Sequence, residues 1–442
     1  MSQDNSGFSR RMFIGTAATA AGAIALSCGG KKEEKAAASK KVIIPELLET
    51  APDGAELKAG LIGCGGRGAG AALDFIGAGP NLKITALGDV FKDRLDDARK
   101  NIKEKGKQDI PDSNCFVGFD AFQKVIDSGV DVVLLATPPH FRPQHFAAAV
   151  AAGKHVFMEK PVAVDPMGIK LVIETAGQAK TKNLCVVTGT QRRHQKQYVE
   201  IYRRVAGGAI GDIVAARCYW NQGQLWYKDR QPKWSDMEWM IRDWVNWSWL
   251  SGDHITEQHV HNIDVINWFT GSHPVKADSF GARIRRVTGD QYDFFSTDFE
   301  YENGMHLESI CRQIDGCSTN ISEFIVGTKG STNCADTIFT PNGSTAFKFE
   351  VKEGEKKPNS PYLQEHIDLV TAIRKSEVIN EAENTAISTM CAIMGRISAY
   401  TGVQTTWQEM MDSTLKLGPA EYALGKSELI KSSVPVPGKG KS

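Results

Sequence analysis

The run Gly63-Cys64-Gly65-Gly66-Arg67-Gly68 constrains this chain more than any other stretch, because of what flanks it. Before it, Leu57-Lys58-Ala59-Gly60-Leu61-Ile62 reads as a short apolar strand; after it, residues 69–76 are small and apolar at helical spacing. Residues 82–87 read as a second strand, and Asp89 stands just past its end, 21 residues beyond Gly68. In this layout Gly63 permits a tight turn, Gly65 lets the backbone approach a pyrophosphate, and Gly68 lets helix and strand pack closely. Gly66 and Arg67 are further candidate cofactor contacts, and the N-terminus of the helix that follows offers N–H groups and a positive dipole end to phosphates. Asp89 is placed to accept hydrogen bonds from the adenosine ribose and to repel a 2′-phosphate, which favours NAD over NADP. Strand, turn, helix, strand and acid in register predict a dinucleotide-binding βαβ unit.

From residue 57 to 187 strands and helices continue to alternate. Residues 130–136 form an unbroken apolar run, as expected of a strand covered on both faces. Residues 155–158 read as another strand, and 141–152 and 165–179 as helices. Beyond about residue 190 the texture changes. Strand character at 213–219, 275–284, 292–299, 306–311 and 320–326 is interrupted by helical stretches at 195–204 and 259–269. The predicted fold is a doubly wound α/β (Rossmann) domain over 56–188. It is followed by an α+β domain with a mostly antiparallel sheet over 189–410, whose C-terminal helices (365–375 and 385–400) pack back on the first. Residues 411–442 are assigned to a C-terminal tail, Pro-, Gly- and Lys-rich and disordered from Ser432 onward.

Composition narrows the partners. Formal net charge is zero over 442 residues, which gives no basis for electrostatic binding to nucleic acid or acidic lipid. Nine cysteines without C-x-x-C spacing make neither a zinc signature nor a disulfide framework, and Cys64, Cys185, Cys218 and Cys391 fall in apolar segments. The first residues read as targeting rather than fold. Ser9-Arg10-Arg11-Met12-Phe13-Ile14 matches the twin-arginine pattern, and the apolar run 16–26 after it is too short to span a bilayer. Ala25-Leu26-Ser27-Cys28 resembles a lipoprotein cleavage box with its leucine displaced by one position. The expectation is a signal over 1–28, a tether over 29–55, and an exported protein facing the periplasm, anchored to a membrane only through lipid on Cys28.

Glu159-Lys160-Pro161-Val162-Ala163 follows the strand that ends at Met158, and Ala136-Thr137-Pro138-Pro139-His140 follows the strand before it. With the glycine turn, Gly189-Thr190-Gln191-Arg192-Arg193-His194 and Gly211-Asp212-Ile213, these stretches resemble the Gfo/Idh/MocA oxidoreductase family, which includes glucose–fructose oxidoreductase and inositol dehydrogenase. The resemblance spans roughly 57–410. It implies that Lys160 lies beside the nicotinamide and hydrogen-bonds the reacting hydroxyl. It implies also that Thr137, Pro138 and His140 line the cofactor, that Glu159 lies near the nicotinamide ribose, and that Gln191 and Arg193 border the substrate. Independently, Lys160 falls at the C-terminal end of a parallel strand, where open α/β sheets place their ligands. A lysine beside a cationic nicotinamide can also shuttle a proton.

A second group is Glu257-Gln258-His259-Val260-His261-Asn262-Ile263-Asp264. The family carries an acid and a histidine four residues on; Glu257 and His261 keep that spacing and share a face if the segment is helical. His261 is then the general base for the hydroxyl proton, and Glu257 the group that orients it. The chain departs from the family in having glutamate for aspartate and His259 where glycine is usual. If the segment were extended, Glu257, His259 and His261 could instead bind a divalent metal; helical spacing favours the acid–base pair, and no metal is expected.

A third feature is aromatic: seven of nine tryptophans lie from Trp220 to Trp249. Such rings stack on the apolar face of a pyranose, with Trp220, Asn221, His259, Gln222, Gln224, Arg242, Asp243 and Asp253 nearby to contact its hydroxyls. Tryptophan is equally enriched where subunits meet, so further copies of the chain are also expected partners.

Export and a dinucleotide fold together imply a tightly bound, recycled NAD, because little free NAD exists outside the cytoplasm. The leading expectation is a sugar or glycoside dehydrogenase that oxidises a ring CH–OH, such as that at C3, and passes the hydride to an unidentified acceptor. The alternative is an NAD-dependent glycosidase using transient oxidation, elimination and re-reduction, with Tyr219, Tyr227 and His259 as further acid–base candidates. A non-catalytic sugar-binding lipoprotein is a third.

Overall fold

A computed structural model describes residues 46–438; the signal, Cys28 and most of the tether lie outside the described residues. Its first layer is a parallel sheet. Strands β1 (Leu57–Ile62), β2 (Leu82–Asp89), β3 (Cys115–Val117), β4 (Val132–Leu135), β5 (His155–Met158) and β6 (Val186–Thr188) are joined through α1 (Gly66–Gly77), α2 (Lys92–Lys105), α3 (Ala121–Asp127), α4 (Arg142–Ala151) and α5 (Pro166–Thr181). The strand order β3-β2-β1-β4-β5-β6, parallel throughout, reverses direction between β1 and β4 and opens a crevice at their C-terminal ends. Crossover helices cover both faces, so all four residues of β4 are buried, as its unbroken apolar run requires.

The second domain contains α6 (Lys196–Ala206), β7 (Ile213–Gln222), α7 (Asp236–Arg242), α8 (Ser248–Ser251), α9 (His254–Glu257), α10 (Val260–Thr270) and β8 (Pro274–Ala282). Strands β9 (Phe294–Tyr301), β10 (His306–Gln313), β11 (Asn320–Gly327), β12 (Gly330–Thr332), β13 (Thr337–Phe339) and β14 (Thr345–Lys348) follow. After them come α11 (Pro361–Lys375), α12 (Ala382–Thr401), β15 (Thr405–Thr406) and α13 (Trp407–Asp412). The nine-stranded sheet runs β14-β13-β12-β11-β7-β10-β9-β8-β15 and is antiparallel except for the β7–β10 pair. Burial alternates along β9 and β10, the pattern of a sheet covered by helices on one face; α10 and α12 supply that cover. The C-terminal helices do pack back: α11 lies against α1, β5 and β6, and Ile367, Leu369 and Val370 join the core of the first domain.

Both ends of the described chain depart from expectation. Residues 46–55, assigned above to the tether, lie on the first domain. Ala51 N donates to Ala78 O at 2.8 Å, and Arg374 donates to the carbonyls of Pro52, Ala55 and Pro80. The tail is ordered against the body well past residue 411. Leu417 N donates to Asp165 at 2.8 Å, and Tyr292 donates to Pro435 O at 2.9 Å. Its proline and lysine content disguises Leu417, Tyr422, Leu429 and Ile430, which pack on an aromatic cluster around Phe141, Trp247 and Trp249.

Candidate active site

The glycine turn forms where β1 and β4 separate. Gly63 has φ +94°, and a Cβ there would lie 2.6 Å from the Ala136 carbonyl carbon and Thr137 N. A Cβ on Gly68 would lie 1.9 Å from Gly63 O, so turn and helix touch through backbone alone. Gly65 and Gly66 face open space, and α1 begins with no side-chain cap, leaving its first N–H groups for a ligand. In front of them is a cavity of about 680 Å³ lined by Gly63, Gly65, Gly66, Arg67, Gly68, Asp89, Thr137 and Pro138, a size suited to a whole cofactor. Asp89 is held by Cys64 N at 2.7 Å and Phe91 N at 2.8 Å, and Thr137 Oγ1 is buried without a partner. These groups fit a dinucleotide. Gly68→Ala is expected to force α1 off the turn, costing about 1–3 kcal/mol as overpacking does. A lower urea midpoint together with weaker NAD binding checks it.

Two expected cofactor residues are turned elsewhere. Residues Pro139–Phe141 form a 3₁₀ turn, which sets Pro138 and Phe141 on the same side and points His140 away. His140 Nε2 meets Tyr422 Oη at 2.7 Å, Trp249 packs edge-on at 5.0 Å, and burial pushes the imidazole down to about 4. Phe141 and His145 line the cavity in its place. Glu159 is bound by the Arg67 guanidinium, which also reaches Glu365 and Asp74 at 3.4 Å and lies over Tyr362. Arg67 therefore borders the cleft as part of a carboxylate network.

Past the cavity, on the second domain's side, lie the groups with acid–base chemistry. Lys160, just beyond β5, donates from Nζ to the Glu257 carbonyl at 2.5 Å and to Glu257 Oε1 at 3.2 Å. Both side chains are nearly buried. The Glu257–His261 pairing expected from one helix is not formed. The helix breaks at Gln258–His259, separating α9 from α10, and the Glu257 carboxylate orients Lys160 instead of His261. His261 stacks on Trp220 with ring centroids 5.5 Å apart. Burial, and then the charges of Lys160, Arg192 and Arg67, hold its imidazole well below the ordinary histidine range, so it is a neutral acceptor at neutral pH. Gln191 Oε1 and Trp220 Nε1 are buried without partners, which suits a ligand rich in hydroxyls.

Other expected substrate contacts serve the fold. Arg193 is bound bidentately by Asp264 at 2.8 and 2.9 Å and ties its turn to α10. His259 is fully buried, with Nε2 2.7 Å from Ser309 Oγ, and burial pushes it down to about 3. Glu257, His259 and His261 thus point to three different places, not to a shared metal. Asn221 follows Trp220 on β7, and strand alternation puts it on the opposite sheet face. Arg242, Asp243 and Asp253 are engaged by Asp93, Asn246 and His254. For Arg193, His259 and Arg242 the signal missing from local sequence was the partner, which lies 71, 50 and 149 residues away in the chain.

Residues 57–188 match the family described as "Oxidoreductase family, NAD-binding Rossmann fold", and 198–333 match the GFO/IDH/MocA C-terminal domain. Inositol 2-dehydrogenase 1 of Saccharopolyspora erythraea is 30% identical over 37% of this chain and 45% of its own length. A glycosyl hydrolase family 109 protein of Streptomyces coelicolor is 29% identical over 47% of this chain and 43% of its own. The chain thus spans less than half the length of either relative. The fold matches scyllo-inositol dehydrogenase from Lactobacillus casei, solved with NAD(H) and scyllo-inositol, with a TM-score of 0.60, 22% identity, and coverage of 79% of this chain and 99% of that one. The chain belongs to the Gfo/Idh/MocA oxidoreductase family, with an NAD-binding Rossmann domain and the family's C-terminal domain.

Proposed function

We propose that this chain is an NAD-dependent dehydrogenase of a sugar or glycoside, oxidising a ring CH–OH, in our reading at C3, with an NAD that stays bound and is recycled in place. The observation that carries the proposal is Lys160, fixed by Glu257 beside a neutral His261, at the strand end next to the dinucleotide cleft. The chemistry a bound NAD would supply is a hydride acceptor for the carbinol carbon. The residues then have to manage the proton and the charge on oxygen. His261 accepts the hydroxyl proton, as a neutral imidazole can and an imidazolium cannot. Lys160 holds the oxygen and stabilises its developing negative charge, with Glu257 fixing the ammonium in place beforehand. Trp220 offers a flat apolar surface to a ring, and Gln191 an unsatisfied acceptor to its hydroxyls. Export by the twin-arginine route and lipid anchoring at Cys28 belong to the same proposal and rest on residues 9–28.

The family 109 relative favours a second reading, a glycosidase that oxidises, eliminates and re-reduces within one turnover. Mass spectrometry of products from a glycoside panel in D2O separates the two. A ketosugar lighter by two hydrogens, uncleaved, is expected. Cleavage with deuterium beside the oxidised carbon would establish the glycosidase instead. Neither product, from protein that retains NAD, would leave only sugar binding.

A further inference from the structure

The cavity in front of the glycine turn is lined on one side by residues of the second domain. Between β7 and α9 the chain makes a long excursion, residues 223–253, holding most of the clustered tryptophans. Trp226, Tyr227 and Lys228 from its extended part line the cavity across from Phe91 and Arg94, which follow Asp89. The excursion is built, not draped. Asp243 accepts from Lys228 N at 2.7 Å, Trp239 Nε1 donates to Lys228 O at 2.7 Å, and Trp226 and Trp244 meet edge to face. Arg242 clamps it to the first domain, donating to both Asp93 oxygens at 2.9 and 3.1 Å and stacking 3.9 Å over the Phe91 ring.

Two features of this wall go beyond packing. Trp226 and Tyr227 are 45% and 48% exposed while lining a cavity, so neither ring is fully packed by the protein itself. Lys228 and Arg94 form no ion pair among the described residues, which leaves two cations lining the cavity.

We propose that the 223–253 excursion is the adenosine-binding wall of the cofactor site, with Trp226 and Tyr227 stacking on the base. Clamped through Arg242–Asp93, it is what keeps NAD from exchanging. The inference rests on NAD occupying the cleft. It assigns the tryptophan cluster to the cofactor, where its sequence suggested a sugar or a subunit contact.

The test is the release rate of NAD from the purified full-length protein, followed by chase with isotopically labelled NAD and mass spectrometry. Trp226→Ala/Tyr227→Ala is expected to release NAD about 10- to 100-fold faster, as loss of one or two base–aromatic stacks implies. Asp93→Asn, a surface change that leaves the cleft lining untouched, is expected to accelerate release as well. Tyr227→Ala alone, at an exposed side chain, serves if the double variant fails to fold. Wild-type release rates in the Tyr227 and Asp93 variants would overturn the proposal. Wild-type protein that neither carries nor binds NAD would instead overturn the underlying cofactor reading.

Discussion

Lys160→Met is expected to cut turnover by about 10²–10⁴-fold, the range for a lost group that acts directly on the reacting proton or charge. NAD content is expected to be unchanged, because the cleft lining does not include Lys160. Truncation has a second consequence that must be kept apart from the first. It strands the Glu257 carboxylate, which is nearly buried and has Lys160 as its ion-pair partner. Removing one member of such a pair destabilises by up to about 3–5 kcal/mol. Lys160→Met/Glu257→Gln removes both charges and is expected to recover most of the stability and none of the turnover. Urea unfolding and steady-state rates on the two variants check this. Turnover that recovers along with stability would show that Lys160 only holds the fold together.

His261→Gln is expected to cost a similar factor, about 10²–10⁴, and to remove the acid limb of the kcat/KM profile. In the wild type that limb should lie below the ordinary histidine range. The imidazole must be unprotonated to take the hydroxyl proton, and burial with three nearby cations keeps it so. Activity is therefore held through neutral pH and lost only as pH falls through the depressed value. Removing a neighbouring positive charge should move the imidazole up. In Lys160→Met the His261 ring, followed by NMR, is expected to titrate at higher pH than in the wild type. A wild-type limb at or above the ordinary histidine value, or no movement in the Lys160 variant, would take His261 out of the proton path.

Positions where the backbone dictates the residue were legible from sequence. Gly63 and Gly68 are fixed by contacts a Cβ would violate, and Asp89 by its place at the end of β2, so their spacing could be recognised without knowing anything distant. Lys160 was legible for a related reason: it follows an apolar strand whose C-terminal end is where the sheet opens. His259 and His261 show where local reading stops. Both are histidines in one short segment, and one meets Ser309 on β10 while the other meets Trp220 on β7. Only a helix break and two distant strands tell them apart. Arg193 offered no sign of Asp264, 71 residues on, and His140 none of Tyr422, 282 residues on. The aromatic excursion was visible as composition, but its position over Asp89 depends on the packing of one domain on another.

The place of α11 sets a timetable for biosynthesis. Ile367, Leu369 and Val370 complete the core of a domain whose last strand ends at Thr188. At about 5–20 residues per second, a ribosome needs roughly 10–40 s to travel from that strand to the end of α11. Through that interval the nascent nucleotide-binding sheet lacks its α11 cover over β5 and β6, with Phe75 and Phe157 still without the His366 ring that later packs on both. The first domain's core is therefore finished only when the C-terminal part of the chain has been made.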